Sequence, residues 1–347
     1  MIKNKIVMPP EWYPQDAVQL TWPHEDGDWD KKEFEEVQTC FLQIANAISK
    51  REKLIIVCKD DKDKQQISHL LKSSAENIIF AKIDSNDVWT RDHGGITIFK
   101  DEKRVILDFS FNGWGLKFKA DKDNLITSKL YDMGIFSNEC EYSNKLDFVL
   151  EGGSIETDGL GTLLTTSSCL FSKNRNDKLA KEEILDYLKN TLGIKKILML
   201  NNGYIAGDDT DGHIDTLARF CNSKTIAYVQ CTDDQDEHYS ALKAMEEELK
   251  GFTTIDGEKY ELIPLPMPEP IYYKNERLPA TYANFLIIND AVLLPVYKSK
   301  KDNEAADILK SIFPEREIIP IDCNILIRQH GSLHCVTMQY PKGVLNE

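Results

Sequence analysis

The chain has 347 residues, 41% of them hydrophobic, enough for one large domain or two ordinary ones. Its 57 acidic against 42 basic side chains give a net charge of −15, which argues against nucleic acid or an anionic membrane as partner and would draw in a small cation. No stretch approaches the roughly 18 apolar residues of a membrane span, the opening Met1-Ile2-Lys3-Asn4 lacks the apolar run of a signal peptide, and eight Cys without a CxxC pair read as the reduced thiols of a cytoplasmic protein.

Residues 31–50 place Phe34, Val37, Phe41, Ile44, Ala45 and Ile48 three or four apart, which predicts an amphipathic helix. A strand-like run follows at Leu54-Ile55-Ile56-Val57-Cys58, then a helical stretch from Lys62 to Ser73 and an apolar run at Ile78-Ile79-Phe80. Strands at Ile96–Phe99 and Val105–Phe109 flank Asp101-Glu102-Lys103, so a hairpin is expected there. Further helices are expected at 122–133, 178–192, 235–250 and 303–313, each ahead of a short apolar strand. Gly193 suits the position just past the second of these, and Pro314 stops the last. Strand pairs are read at Phe148–Leu150 with Thr162–Thr166, at Thr216–Phe220 with Thr225–Gln230, and at Phe285–Ile288 with Val292–Val296. The cadence fits about five units of strands around one helix, without a residue-level repeat. Pro264, Pro266, Pro268 and Pro270 must be extended and cannot form a central strand; a surface connector is the plainer reading, a loop bordering a binding site the sharper one.

Four polar clusters carry candidate chemistry. The ordinary meaning of any one Cys is a small buried hydrophobe, but Cys335 follows the turn residues Gly331-Ser332 and has polar neighbours His334, Thr337 and Gln339, which makes it a candidate nucleophile. A metal held by His330 and His334 would need a helix, which Gly331 and Ser332 oppose. Asp208 to Asp215 holds four acids, a Gly and His213, by default a solvated acidic loop. The apolar turn after Gly212 sets His213 and Asp215 at the mouth of a strand, on one face, as an acid/base beside a cation-binding carboxylate. Trp89-Thr90-Arg91-Asp92 reads plainly as core packing plus a local ion pair; alternatively Asp92 accepts hydrogen bonds from a planar cation walled by Trp89. Glu151-Gly152-Gly153 ends an apolar strand, and its glycines permit close approach of a ligand or a bulge.

In this order the pieces resemble the agmatine deiminase family of guanidine-modifying enzymes, close to the bacterial peptidylarginine deiminases. The resemblance runs nearly end to end: Met8-Pro9-Pro10-Glu11-Trp12, Trp89-x-Arg91-Asp92, Glu151-Gly152-Gly153-Ser154-Ile155, Asn174-Arg175-Asn176, Asp209-Thr210-x-Gly212-His213-Ile214-Asp215, Arg277-Leu278-Pro279-Ala280-x-Tyr282-x-Asn284-Phe285 and His334-Cys335-x-Thr337-x-Gln339. It implies one catalytic domain over residues 1–347 with an α/β pentein fold, a five-bladed pseudo-symmetric propeller of ββαβ units. It further implies Cys335 as nucleophile, His213 as general acid and base, and Asp92, Asp215 and Glu151 as carboxylates gripping the guanidinium. Trp89, Gly153 and Asp209 complete the expected binding site, with no metal or organic cofactor. Where the family usually has glycines this chain has Gln329 and His330; Asp211 and Thr216 stand in place of Asn, and His93 in place of Thr.

The resemblance implies hydrolysis of agmatine to N-carbamoylputrescine and ammonia, a step toward putrescine. Free arginine or peptidyl-arginine is the alternative substrate, and then Arg219, Arg277 or Arg328 would have to face the pocket. An amidino transferase, a metal-dependent hydrolase and a non-catalytic cation-binding module are the lesser alternatives. A homodimer is the expected assembly.

Overall fold

In the computed structural model the described residues are 5–27, 29–72 and 75–346. The expectations for Met1–Asn4 and for a helix end at Ser73 lie outside them. One pattern governs the strands: an antiparallel pair, then a helix, then a third strand parallel to the second. Ala218–Asn222 pairs with Thr225–Gln230, the helix Tyr239–Gly251 crosses over, and Glu261–Pro266 joins as the parallel edge. The same order recurs in Leu286–Ile288, Ala291–Val296, the helix Asp302–Ile312 and Glu317–Asp322. It recurs in Ile155–Thr157, Thr162–Thr166, the helix Lys181–Leu192 and Lys196–Leu200. Ile96–Lys100, Lys103–Ser110, the helix Ile126–Asp132 and Glu141–Val149 form the fourth set. The fifth is built from both ends of the chain. Thr337–Pro341 lies antiparallel to Gln15–Thr21, which runs parallel to Lys53–Cys58 beyond the helix Phe34–Ile48.

Local sequence accounts for these elements. Phe34–Ile48 buries Val37, Phe41, Ile44, Ala45 and Ile48, the periodic face expected, each large apolar side chain contributing about 1.5–3 kcal/mol. Asp101 and Glu102, both at positive φ, make the two-residue hairpin between Ile96–Lys100 and Lys103–Ser110. Gly193 takes φ 73° at the end of Lys181–Leu192, where a Cβ would also lie 2.2 Å from the Ile6 carbonyl oxygen. Three apolar clusters form the interior, the largest joining the Phe34–Ile48 helix to the strands from Leu286 to Leu294.

Two expectations are corrected. Thr162–Thr166 pairs with Ile155–Thr157 and Lys196–Leu200, while Phe148 belongs to a strand paired with Lys103–Ser110. Strand partners are chosen by long-range packing, and an apolar run next in sequence carries no information about it. The strand expected from Thr216 begins at Ala218; Ile214–Thr216 is a 3-10 turn. Pro264 and Pro266 lie on the edge strand Glu261–Pro266, where a missing N–H costs no ladder bond. That stretch borders a cavity with Cys231 and Lys301 rather than the one that holds Cys335.

Candidate active site

The candidate catalytic side chains sit just ahead of the first strands of four different sheets. Asp92 lies in the one-turn helix Thr90–His93 before Ile96–Lys100, and Glu151 before the 3-10 turn Gly152–Ser154 and Ile155–Thr157. His213 precedes and Asp215 lies within the 3-10 turn Ile214–Thr216 before Ala218–Asn222, and Cys335 occupies the turn before Thr337–Pro341. The fifth sheet contributes Asn284, just before Leu286–Ile288. The five turns meet.

Gly153 marks the meeting point. A methyl group on its Cα would lie 2.6 Å from His213 Nδ1, 2.9 Å from Asp92 Oδ1 and 3.2 Å from Asp215 Oδ2, so only glycine fits. Its N–H donates to Asp92 Oδ1 at 3.0 Å, and Trp114 Nε1 donates to Asp92 Oδ2 at 2.9 Å. Cys335 Sγ lies 3.5 Å from Asn284 Oδ1 and 3.9 Å from Asp215 Oδ2. His213 Nδ1 is 3.6 Å from Asp92 Oδ1, and its Nε2 is 3.6 Å from Glu151 Oε2. Arg175 Nε donates to both Glu151 oxygens while its other nitrogens reach Asp211 and the Thr210 carbonyl. Arg175 thereby ties Glu151 to the loop that carries His213.

Above this floor opens a cavity of about 340 Å³ lined by Trp89, Asp92, Trp114, Phe118, Asp209 and Cys335, with Asp87, Thr210 and the 328–331 segment at its rim. Gly331 lies against the Trp89 ring, where a Cβ would come within 2.1 Å of it. Of the expected residues, Trp89, Asp92, Asp209 and Cys335 thus face the cavity. His213, Asp215, Glu151 and Gly153 lie beneath it, buried. Gly153 acts through its missing side chain and its N–H to Asp92 rather than by lining the cavity.

Burial raises the Asp92 pKa to about 6 against the pull of His213. Burial also works against the His213 cation, but Asp92 and the neighbouring Cys169 and Glu151 outweigh it and hold the ring protonated well above the usual range. Burial would raise Asp215 and Glu151 too, yet His334 keeps Asp215 low, and His213 with Arg175 keeps Glu151 low. The Cys335 thiol is pushed well above its ordinary value by burial and by Asp215 and Asp92. Of the buried side-chain atoms without a hydrogen bond among the described residues, two stand at this site: Asp215 Oδ1, and His213 Nε2, which keeps only its 3.6 Å contact with Glu151. A buried polar atom left open at such cost points to a ligand that satisfies it.

Among the described residues, two sets of His, Cys and acidic side chains approach metal-binding spacing, Glu151–Cys169–His213 and Glu11–Glu156–His334. Arg175 is forked onto the acid of the first, and Arg219 bonds both acids of the second, so the charge a cation would meet is already balanced. His330 and His334 take separate partners, the Gly207 carbonyl for one and Asp215 and Glu11 for the other.

Across residues 7–341 the chain matches the Porphyromonas-type peptidyl-arginine deiminases. It belongs to that family. A Legionella pneumophila (strain Paris) relative, provisionally named an agmatine deiminase, is 34% identical over 97% of this chain and 95% of its own. Among solved structures, a Porphyromonas gingivalis protein provisionally named an arginine deiminase shares 54% identity with a TM-score of 0.95, covering 99% of this chain and 100% of its own. A C. jejuni agmatine deiminase, in a Cys-to-Ser variant with substrate bound, shares 40% identity with a TM-score of 0.91 over 99% and 98%. A Microseira wollei amidinotransferase, 11% identical with a TM-score of 0.52 over 99% of each chain, shares the α/β fold alone.

Sequence reasoning on this family member missed Trp114, Phe118, Asn284 and the role of Arg175. The Asn284 signal was available, since it stands ahead of a strand pair as Asp92 and Glu151 do. Trp114 had none; it reaches Asp92 through a φ of 54° and a neighbouring Gly113 and Gly115 at positive φ. Of the departures from the family pattern, Asp211 pairs with Lys117 and Arg175, and the Thr216 hydroxyl donates to the His213 carbonyl. His93 is buried beside Phe111 and Thr21.

Proposed function

We propose that this chain is a guanidine hydrolase that converts agmatine to N-carbamoylputrescine and ammonia through a covalent Cys335 thioether. One observation carries the reading: Cys335, His213 and the carboxylates of Asp92 and Asp215 meet over Gly153, with Asp215 Oδ1 and His213 Nε2 left open. Relatives that bear the agmatine deiminase name support it.

A guanidinium carbon is a poor electrophile because its charge is shared over three nitrogens. Asp92 and Asp215 accept its N–H bonds, fix its plane and hold the carbon near Sγ. The resting thiol is protonated; the bound cation lowers its pKa, the proton leaves to solvent through the open cavity, and the thiolate attacks, forming the S–C bond. The C–N bond breaks as His213, held charged by Asp92 and Glu151, gives its proton to the departing ammonia. The amidino thioether then accepts water whose proton returns to His213, and the C–S bond breaks to free the ureido product and the thiolate. Trp89 and Trp114 wall the alkyl chain, and Asp209 with Asp87 draws in the distal amine.

Agmatine lacks a carboxylate, and the arginines that would clamp one are engaged elsewhere. Arg219 is buried between Glu11 and Glu156, and Arg277 pairs with Asp236 and Glu237. Arg328 reaches the cavity rim but bonds Glu33 and Glu36 and stacks on Tyr273. Arginine is the second reading, favoured by the 54% identical P. gingivalis protein. Purified protein incubated with agmatine, arginine and a peptidyl-arginine should release ureido product from agmatine fastest; none from agmatine overturns the choice.

The proposal extends to architecture: one catalytic domain whose five strand–strand–helix–strand sets close as blades of a pentein fan about a pseudo-fivefold axis, the site at its hub. It also includes a cytoplasmic homodimer, for which sedimentation should give twice the mass of one chain.

A further inference from the structure

Behind Asp215 lies a side chain the mechanism above does not use. We propose that His334 is a positioning residue that turns Asp215 so that one oxygen alone, Oδ1, is presented to the substrate cation. The inference rests on the guanidine-hydrolase reading and deepens it. His334 Nδ1 is hydrogen-bonded to Asp215 Oδ2 at 2.7 Å, and Nε2 to Glu11 Oε2 at 2.7 Å. The ring is 1% exposed, so no water competes for either bond. Asp215 Oδ2 is thereby occupied, and Asp215 Oδ1 is the carboxylate atom left open.

The anchor of His334 is rigid at its far end. Glu11 Oε2 also accepts from Arg219 Nη2 at 2.9 Å, and Glu11 Oε1 from the Ile287 N–H at 2.7 Å. Arg219 bonds Glu156, and Arg91 lies 3.8 Å from Glu11. The His334 N–H itself donates to Asn284 Oδ1, the atom beside Cys335 Sγ. A turn that aims the nucleophile therefore also fixes the carboxylate that grips the substrate, through consecutive residues. Sequence spacing hides this, because the two bonds span 119 and 323 residues.

Beyond orientation, His334 keeps Asp215 ionised. The titratable and charged groups facing Asp215 are His334, His213 and the more distant Arg219 and Arg91, against Asp92 and the Cys335 sulfur. Burial favours the protonated acid, and His334 is the largest influence opposing it. Removing that donor raises the Asp215 pKa, so a second protonation joins that of Asp92 and kcat/KM falls more steeply on the acid side.

Two near-isosteric variants separate the arms of the ring. His334→Gln reaches toward Glu11 as Nε2 does and loses the donor to Asp215; His334→Asn does the reverse. The proposal expects His334→Gln to raise KM about tenfold or more with kcat changed less, and to make kcat/KM fall more steeply below the Asp92 limb. It expects His334→Asn to hold KM within about threefold of wild type, a rescue that a structural role would not produce. An unmoved KM in His334→Gln, or equal rises in KM in both variants, overturns it, and each folded variant is compared with wild type on its own. Wild-type turnover of agmatine is measured in the same assay. Its absence counts against the functional reading, and the variants are then judged on whichever of the three guanidinium substrates is turned over.

Discussion

The two faces of the central polar layer are built from the same residue types and differ in satisfaction. Behind the site, Glu11, Arg219 and Glu156 saturate one another, with Phe285 and Ala283 carbonyls accepting from Arg219. At the cavity floor, Asp215 Oδ1 and His213 Nε2 lack hydrogen bonds, the latter keeping a 3.6 Å contact with Glu151, and Asp92 is buried at the cost of a pKa raised to about 6. Buried charge that is fully paired organises a fold; buried charge left half-paired awaits a ligand. The difference marks the site where cavity size does not, since cavities of about 430 and 410 Å³ lie away from it.

Substitutions should affect the two faces differently. Cys335→Ala should lower turnover by roughly 10³-fold or more while calorimetry still detects agmatine binding; persistent turnover would mean that Cys335 is not the nucleophile. On the saturated face, Arg219→Leu strands Glu11 and Glu156 and should cost about 3–5 kcal/mol in urea unfolding. If that variant melts like wild type, the network does not organise the fold. Trp114→Phe removes the donor to Asp92 Oδ2 and should raise KM about tenfold with little change in melting temperature.

The pH dependence follows from Asp92. Its pKa lies above the ordinary value, so it gains a proton as pH falls through about 6 and then cannot accept from a cation. kcat/KM should accordingly fall below pH about 6, and Trp114→Phe, lacking a donor that lowers the Asp92 pKa, should move that limb upward. The smallest effect belongs to Arg328→Gln, expected to leave agmatine kcat/KM within about threefold because Glu33 and Glu36 already engage the guanidinium. A large, selective loss with arginine as substrate would instead favour the second reading.

Much of the site was legible because its pieces are local. Cys335 after Gly331-Ser332, the acid-rich 208–215 loop and Glu151 before two glycines each stood out within a few residues, and all of them converge. Strand partnership was less legible. The Thr162–Thr166 strand was given the wrong neighbour, and the strand expected to begin at Thr216 begins at Ala218, after the 3-10 turn Ile214–Thr216.

Sequence alone determined the helix Phe34–Ile48, the Asp101-Glu102 hairpin, the Gly193 helix end and the identity of the reactive side chains, because periodicity, backbone strain and chemical type are properties of neighbouring residues. Tertiary structure alone decided that Trp114 reaches Asp92, that Arg175 joins Glu151 to the His213 loop, and that His334 sits between Asp215 and Glu11. Those bonds join distant segments of the chain. Their geometry is fixed by how five separate sheets pack, which no spacing along one segment encodes.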